Sequence, residues 1–393
     1  SVTTGSYNCA LGRDAGRNIT TGSGNVCIGP NANDAANTTH VVAIGDFALS
    51  ANEADGNVAI GHSALLANTT GVQNTAIGYE TLTVNTTTGE STAVGYRALK
   101  VMSSGTRNNA IGTYSSAQIT TGQYNESMGY GALYTLTTGS SNVAIGHKSV
   151  HSSTTSSNNT GLGYYALFSN TTGSENVAVG TNALDSLTTA TECVAIGAEA
   201  GGGCTTGVRN TFLGRDAGKN ITTGDANVFV GENCAASAVG VDVENVFGAG
   251  ITGKGTQTTF IGGTNGTYNN QNTTTFATTS DERIKKNIVD NNSGLDLLNS
   301  IQIRNFKYKT KDEIVNDNPE LQNVVESAVV EKEGLQIGVI AQELEELLPE
   351  CVITLSTGIK TVDSDNFTWY LVNAIKELSA KNTALEARIA TLE

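Results

Sequence analysis

Two residues about seven-tenths of the way along the chain have the types needed for covalent chemistry. They are Ser280 and, five positions on, Lys285, within Ser280-Asp281-Glu282-Arg283-Ile284-Lys285-Lys286-Asn287-Ile288. A neutral amine can take the proton of a serine hydroxyl, so such a pair can attack a peptide bond. The lysine must first be made a base by burial or by a nearby cation, and Arg283 and Lys286 are the cations at hand. Five residues set two side chains about 140° apart on a helix and on opposite faces of a strand. The pair can therefore meet across a turn, or between neighbouring chains of an oligomer, in which case cleavage would wait for assembly. Taken alone the stretch also reads as a helix start, with Ser280 as cap and solvated charges behind it.

Other reactive types are scarce. The four histidines are His40, His62, His147 and His151; His62 and His147 hold the same repeat position and read as outward residues in a tolerant slot. The six cysteines (9, 27, 193, 204, 234 and 351) include no Cys-x-x-Cys pair and have no histidine at metal-ligand spacing. They read as buried free thiols. No metal and no cofactor are expected.

The elements that hold Ser280 and Lys285 differ on either side. Residues 1–279 carry 27 of the charged residues and 41 of the 45 glycines, whereas residues 280–393 carry 32 charged residues, a charge density about three times higher. A domain boundary falls at that seam. The net charge of −15 argues against nucleic acid, which needs a clustered basic face, and against anionic membrane surfaces. No apolar run is long enough to span a bilayer. Residue 1 lies inside the repeat pattern, so a fragment or mature form is expected.

Before the seam, Asn-Val-Ala-Ile-Gly or a variant recurs with glycine at 12, 29, 45, 61, 78 and onward to 262. Between Gly78 and Gly248 the interval is 17 throughout; earlier steps are 16 or 17 and the last is 14. Sixteen units of this kind predict a parallel β-solenoid or β-roll over residues 1–262. Each coil has a short strand (Val58-Ala59-Ile60), a corner glycine, a second apolar pair (Ala64, Leu65) and a Thr-Thr-Gly bend. The second pair fits a strand or one helical turn. Within the strand, Val and Ile point one way and Ala the other. The expectation is that Val and Ile line the core while the small Ala face admits another chain. The threonine columns near 70, 87 and 121 invite comparison with ice-binding ladders, but their place at glycine turns favours a structural role. Tyr79, Tyr96, Tyr130 and Tyr164 are candidate glycan or receptor contacts. Residues 263–279 read as a polar cap and linker.

After the seam, Leu295-Asp296-Leu297-Leu298, Phe306-Lys307-Tyr308-Lys309, Gly338-Val339-Ile340-Ala341-Gln342-Glu343-Leu344 and Trp369-Tyr370-Leu371-Val372-Asn373-Ala374 follow in order. Together with Ser280-Asp281-x-Arg283-x-Lys285 they resemble the endosialidase-type intramolecular chaperone found at the ends of phage tail fibres and tailspikes. The repeats are similar to the head β-rolls of trimeric autotransporter adhesins. The chaperone resemblance implies an α+β domain over 280–393, a homotrimer, and self-cleavage with Ser280 as nucleophile and Lys285 as base, Asp281 and Arg283 completing the motif.

The final segment supports that implication physically. Leu371, Ile375, Leu378, Asn382, Leu385, Ile389 and Leu392 alternate in steps of four and three, a heptad seam with Asn382 fixing register across a coiled coil at 369–393. A periodic shaft pairs almost as well one coil out of step, so it needs a clamp to set alignment. The expectation is a virion tail-fibre or appendage shaft for host attachment, with a host glycan or receptor as partner and no turnover enzyme in the shaft. The alternatives are a bacterial trimeric surface adhesin and a fragment of a glycan-degrading tailspike; the repeats leave no room for the carboxylate pair the latter needs.

Overall fold

In a computed structural model, residues 4–262, 267–269, 276–277, 282–319, 333–354 and 358–392 are described. The chain forms two compact units, Ser1–Thr279 and Ser280–Glu393.

In the first unit, sixteen three-residue strands run from β1 (Cys9–Leu11) to β16 (Thr259–Ile261) and pair parallel, each with its sequence neighbours. The register is one coil per rung, as in Val42↔Val58 and Ala43↔Ala59. At about 4.8 Å per strand the stack is roughly 75 Å long. It ends in β17 (Thr267–Asn269), which folds back antiparallel on β16, and β18 (Phe276–Ala277) pairs antiparallel with β17. Part of the expected linker is therefore a hairpin that occupies the last strand's open edge.

Which face is inside corrects the sequence reading. Ala43, Ala59, Ala76 and Ala93 have no exposed surface, while Val58 and Ile60 on either side of Ala59 are only half-buried. The middle residue points inward because Ala64 and Leu65, also fully buried, fill the opposite wall of a narrow coil. Two bulky walls would not fit between backbones this close, so the small residue goes inside and the branched ones face out.

The second wall is neither strand nor helical turn. Burying two consecutive residues is incompatible with strand alternation. The backbone solves this with left-handed residues: Ser63 has φ +56° and Leu65 +51°, and the equivalent Leu82, Leu99, Leu133, Leu167 and Leu184 lie between +47° and +50° or at +53°. A left-handed leucine costs about 1–2 kcal/mol, offset by roughly 1.5–3 kcal/mol from burying its side chain. Backbone bonds link coils here too, Leu65 N–H donating to the Thr81 carbonyl at 3.0 Å.

Polar residues in the core form a ladder that the repeat count alone did not disclose. The asparagine that opens most of the motifs, from Asn25 to Asn227, is buried. Asn108 Oδ1 accepts from the Asn125 backbone and side-chain amides, both at 3.0 Å, and Asn125 Oδ1 accepts likewise from Asn142. Each side-chain amide also donates to a bend carbonyl, as Asn108 does to Gly122 at 2.8 Å. From Asn108 to Asn176 each of these buried amides thus finds a partner one coil away. Cys193, next to the strand Val194–Ile196, takes an asparagine position in this ladder, and its N–H donates to Asn176 Oδ1 at 3.0 Å. Threonine hydroxyls form a second ladder at the bends, with Thr120, Thr137, Thr171 and Thr188 each donating to the carbonyl of the threonine one coil on.

The core conserves its volume when its residues change. Phe212 and Phe229 stand where other coils have Ala, and their rings stack at 5.8 Å. Gly201 and Gly218 stand where other coils have left-handed Leu; a Cβ on Gly201 would come within 2.5 Å of the Phe212 ring, and one on Gly218 would also strike that ring. Phe212→Ala is expected to cost about 3–5 kcal/mol, because the facing glycines cannot fill the cavity. Adding Gly218→Leu, which is destabilising alone, should recover a large part of that loss. Denaturant unfolding of the two single variants and the double variant checks this, and strictly additive losses would disprove the compensation.

Candidate functional site

In the second unit, Arg304–Phe306 pairs antiparallel with Gln336–Gly338, and a five-residue helix, Ala341–Glu345, follows directly. Gly338-Val339-Ile340-Ala341-Gln342 is thus a strand-to-helix junction. Arg304 clamps Glu343 on that helix through two bonds of 3.1 and 2.9 Å. A small core of Leu344, Leu348, Cys351 and Tyr370 forms against it, with Leu297, Leu298, Ile301 and Phe367 packed around. The long final helix, Asp365–Ala390, is anchored to this core along one side only. Tyr370 donates its hydroxyl to the Glu350 carboxylate, and that bond, with burial second, holds the phenol above its ordinary pKa. Farther along, Glu377 accepts from the Leu295 backbone at 3.1 Å. Burial pushes the Cys351 thiol up, which makes it unreactive.

The opposite side of that helix has no partner within the described residues. Leu371, Ile375, Leu378, Leu385 and Ile389 are about half exposed or more, Ile375 reaching 66%. Of the predicted seam residues, Leu392 falls just past the helix end. On the same helix Ala374 is 6% exposed. Two faces are therefore distinct: one packs on the chain's own core and one presents the heptad seam to solvent.

Ser280 and Asp281 of the predicted site lie outside the described residues. Glu282–Ile284 form a single 3-10 turn in place of the helix start that the capping pattern suggested, and the Lys285 N–H closes it onto the Glu282 carbonyl at 3.0 Å. Arg283 and Lys285 are both exposed. The described part of this stretch is thus a turn that ends at Lys285.

Residues 280–353 match the family model for the chaperone of endosialidase. The match opens at Ser280, the first residue of the second compact unit, and runs through that unit's strand-to-helix junction to Ile353. It stops short of the final helix. No curated protein and no solved structure matches this chain.

On the shaft, the candidate contact tyrosines are arranged differently from an open platform. His62 stacks on Tyr79 at 5.1 Å and Tyr79 on Tyr96 at 5.4 Å, with ring planes within 13°. Tyr130, His147 and Tyr164 form a second stack, and Tyr134, His151 and Phe168 a third. The rings cover one another's faces, leaving edges and hydroxyls to solvent, so a sugar could stack only at a ladder's ends. His62 and His147 are rungs of these ladders; their shared repeat position was the signal, since rings one coil apart must meet. Among the described residues, no cluster of three or more His, Cys, Asp or Glu side chains could hold a metal ion, and no helix is long and apolar enough to cross a membrane.

Proposed function

We propose that this chain is the shaft of a homotrimeric fibre, carried on a virion as a tail fibre or appendage and used for host attachment. Its C-terminal chaperone domain sets the alignment of three chains and is then cut away at Ser280. The observation that carries this reading is the exposed heptad seam on the final helix, beside a domain matching the endosialidase chaperone. A row of Leu and Ile half in water is unfavourable in a lone chain and becomes a core when helices associate.

In the proposed cleavage, the Lys285 amine takes the proton of the Ser280 hydroxyl, and the Ser280 oxygen attacks a neighbouring peptide carbonyl. The peptide C–N bond then breaks, Lys285 returns the proton to the leaving nitrogen, and water hydrolyses the ester left on the Ser280 oxygen, which frees the chaperone fragment and restores the hydroxyl. An exposed lysine is a poor base until something covers it. The exposure of Lys285 in the single chain therefore supports cleavage that follows assembly.

The test is to express the full chain beside Ser280→Ala and Lys285→Ala and read fragment sizes on a denaturing gel, with native mass from light scattering. The parent should yield a shaft and a chaperone fragment of roughly 11–13 kDa, while both variants remain uncut trimers. Equal full-length bands in all three would remove the protease role, and a monomeric parent would remove the fibre reading.

A further inference from the structure

The outward face of the strand stack carries a pattern that coil formation does not require. In each three-residue strand the first and third side chains point out. The first column admits polar residues freely: Thr75, Thr92, Asn109, Glu126, Thr160 and Asn245 stand among valines. The third column admits none. From Leu11 to Ile261 all sixteen positions are Ile, Leu, Val, Met or Phe, eight of them Ile.

Threonine serves the backbone of a strand as well as valine does, and the first column shows that this stack accepts it. Strand propensity therefore does not explain the third column. Nor does burial within the chain, since Ile111 is 41% exposed, Met128 48% and Ile145 43%. The column exposes on the order of 1,000 Å² of apolar surface in one strip, where soluble monomers rarely leave more than a few hundred Å² uncovered.

We propose that this third-position column is the face along which copies of this chain pack lengthwise. An occupant must be apolar, as long as the shaft, and periodic at the strand spacing. A second copy lying parallel meets all three conditions, because its own column has the same sixteen steps and its ridges fit the grooves between rungs. Closed rotational symmetry places one such column from each chain against the axis. The area available from three columns falls in the range of obligate interfaces. The inference rests on the fibre reading for the number of chains, but the face itself is read from the shaft.

A photo-crosslinking residue placed at Ile145 of the full chain tests it, with a repeat at Met128 and a control at Gln118, an exposed residue on another side of the coil. Irradiation should join chains from positions 145 and 128 at least about tenfold more than from 118, as expected for a buried interface. Crosslinks favouring Gln118, or none at 145 and 128 while light scattering still reports a trimer, would overturn this face and leave the fibre reading standing. A monomeric mass would sink both.

Discussion

Replacing Gly112 by alanine should split the shaft into two separately melting halves. Gly112 has φ +134°, a region closed to side-chain-bearing residues, and a Cβ there would lie 2.5 Å from the Gly129 carbonyl oxygen and 2.8 Å from its carbon. The obstacle is backbone, which cannot rotate aside as a side chain tip can. The Gly112 N–H is already committed to the Val94 carbonyl at 2.7 Å, so the coil cannot shift without losing a rung. Strain at such a φ costs about 1–3 kcal/mol, and the collision should bring the loss above roughly 4 kcal/mol. Stacked coils hold together through nearest-neighbour contacts, so one broken interface near the middle divides the cooperative unit. Calorimetry should show the parent shaft melting in one transition, and Gly112→Ala in two, both lower. Thr113→Ala, beside it, should leave the transition within a degree or two of the parent; a similar result for Gly112→Ala would refute the steric account.

The sequence disclosed the period and therefore the number of strands, their parallel order and their register, because glycine, Asn-x-Ala-x and Thr-Thr-Gly each recur at fixed offsets. It could not say which face was inside. Val-Ala-Ile has period two whichever way it points, and a usual preference for burying the larger residues gave the wrong answer. The deciding fact is the width of the coil, set by the left-handed leucine wall opposite, and a leucine at φ near +50° is not predictable from composition. The asparagine ladder was likewise hidden: a buried amide and a solvent-facing turn amide have the same letter, and only the stacking distance makes the first satisfiable. In the second unit the order of landmarks was legible because strand, junction and helix are contiguous in sequence. Whether Lys285 meets Ser280 depends on packing that a five-residue spacing does not encode.

If the proposed fibre assembles by pairing this seam first, aspartate at both Ile375 and Leu378 should leave the chains monomeric without unfolding the domain that bears them. Both side chains stand on the exposed seam, Ile375 at 66% and Leu378 at 48%, so neither contributes to the core formed by Leu344, Leu348, Cys351 and Tyr370. Helix propensity falls only modestly, by under about 0.7 kcal/mol per residue, and the anchors of the helix are untouched, including Glu377 on the Leu295 backbone. In an assembled coil, by contrast, each aspartate would bring an unpaired carboxylate into an apolar seam beside its own copies, at several kcal/mol per chain. Native mass should drop to that of one chain while circular dichroism of the isolated trace keeps its helical signal. Cleavage supplies a second readout: if the Ser280–Lys285 pair is completed only on assembly, the uncut chain should accumulate in this variant although both residues are present. The same double change on the anchored side, Tyr370→Asp with Ala374→Asp, should instead unfold the domain. Cutting at the parent rate by a monomeric Ile375→Asp/Leu378→Asp chain would show that the pair forms within one chain across the Glu282–Ile284 turn. Retention of the full oligomer would show that the seam is not what holds the copies together.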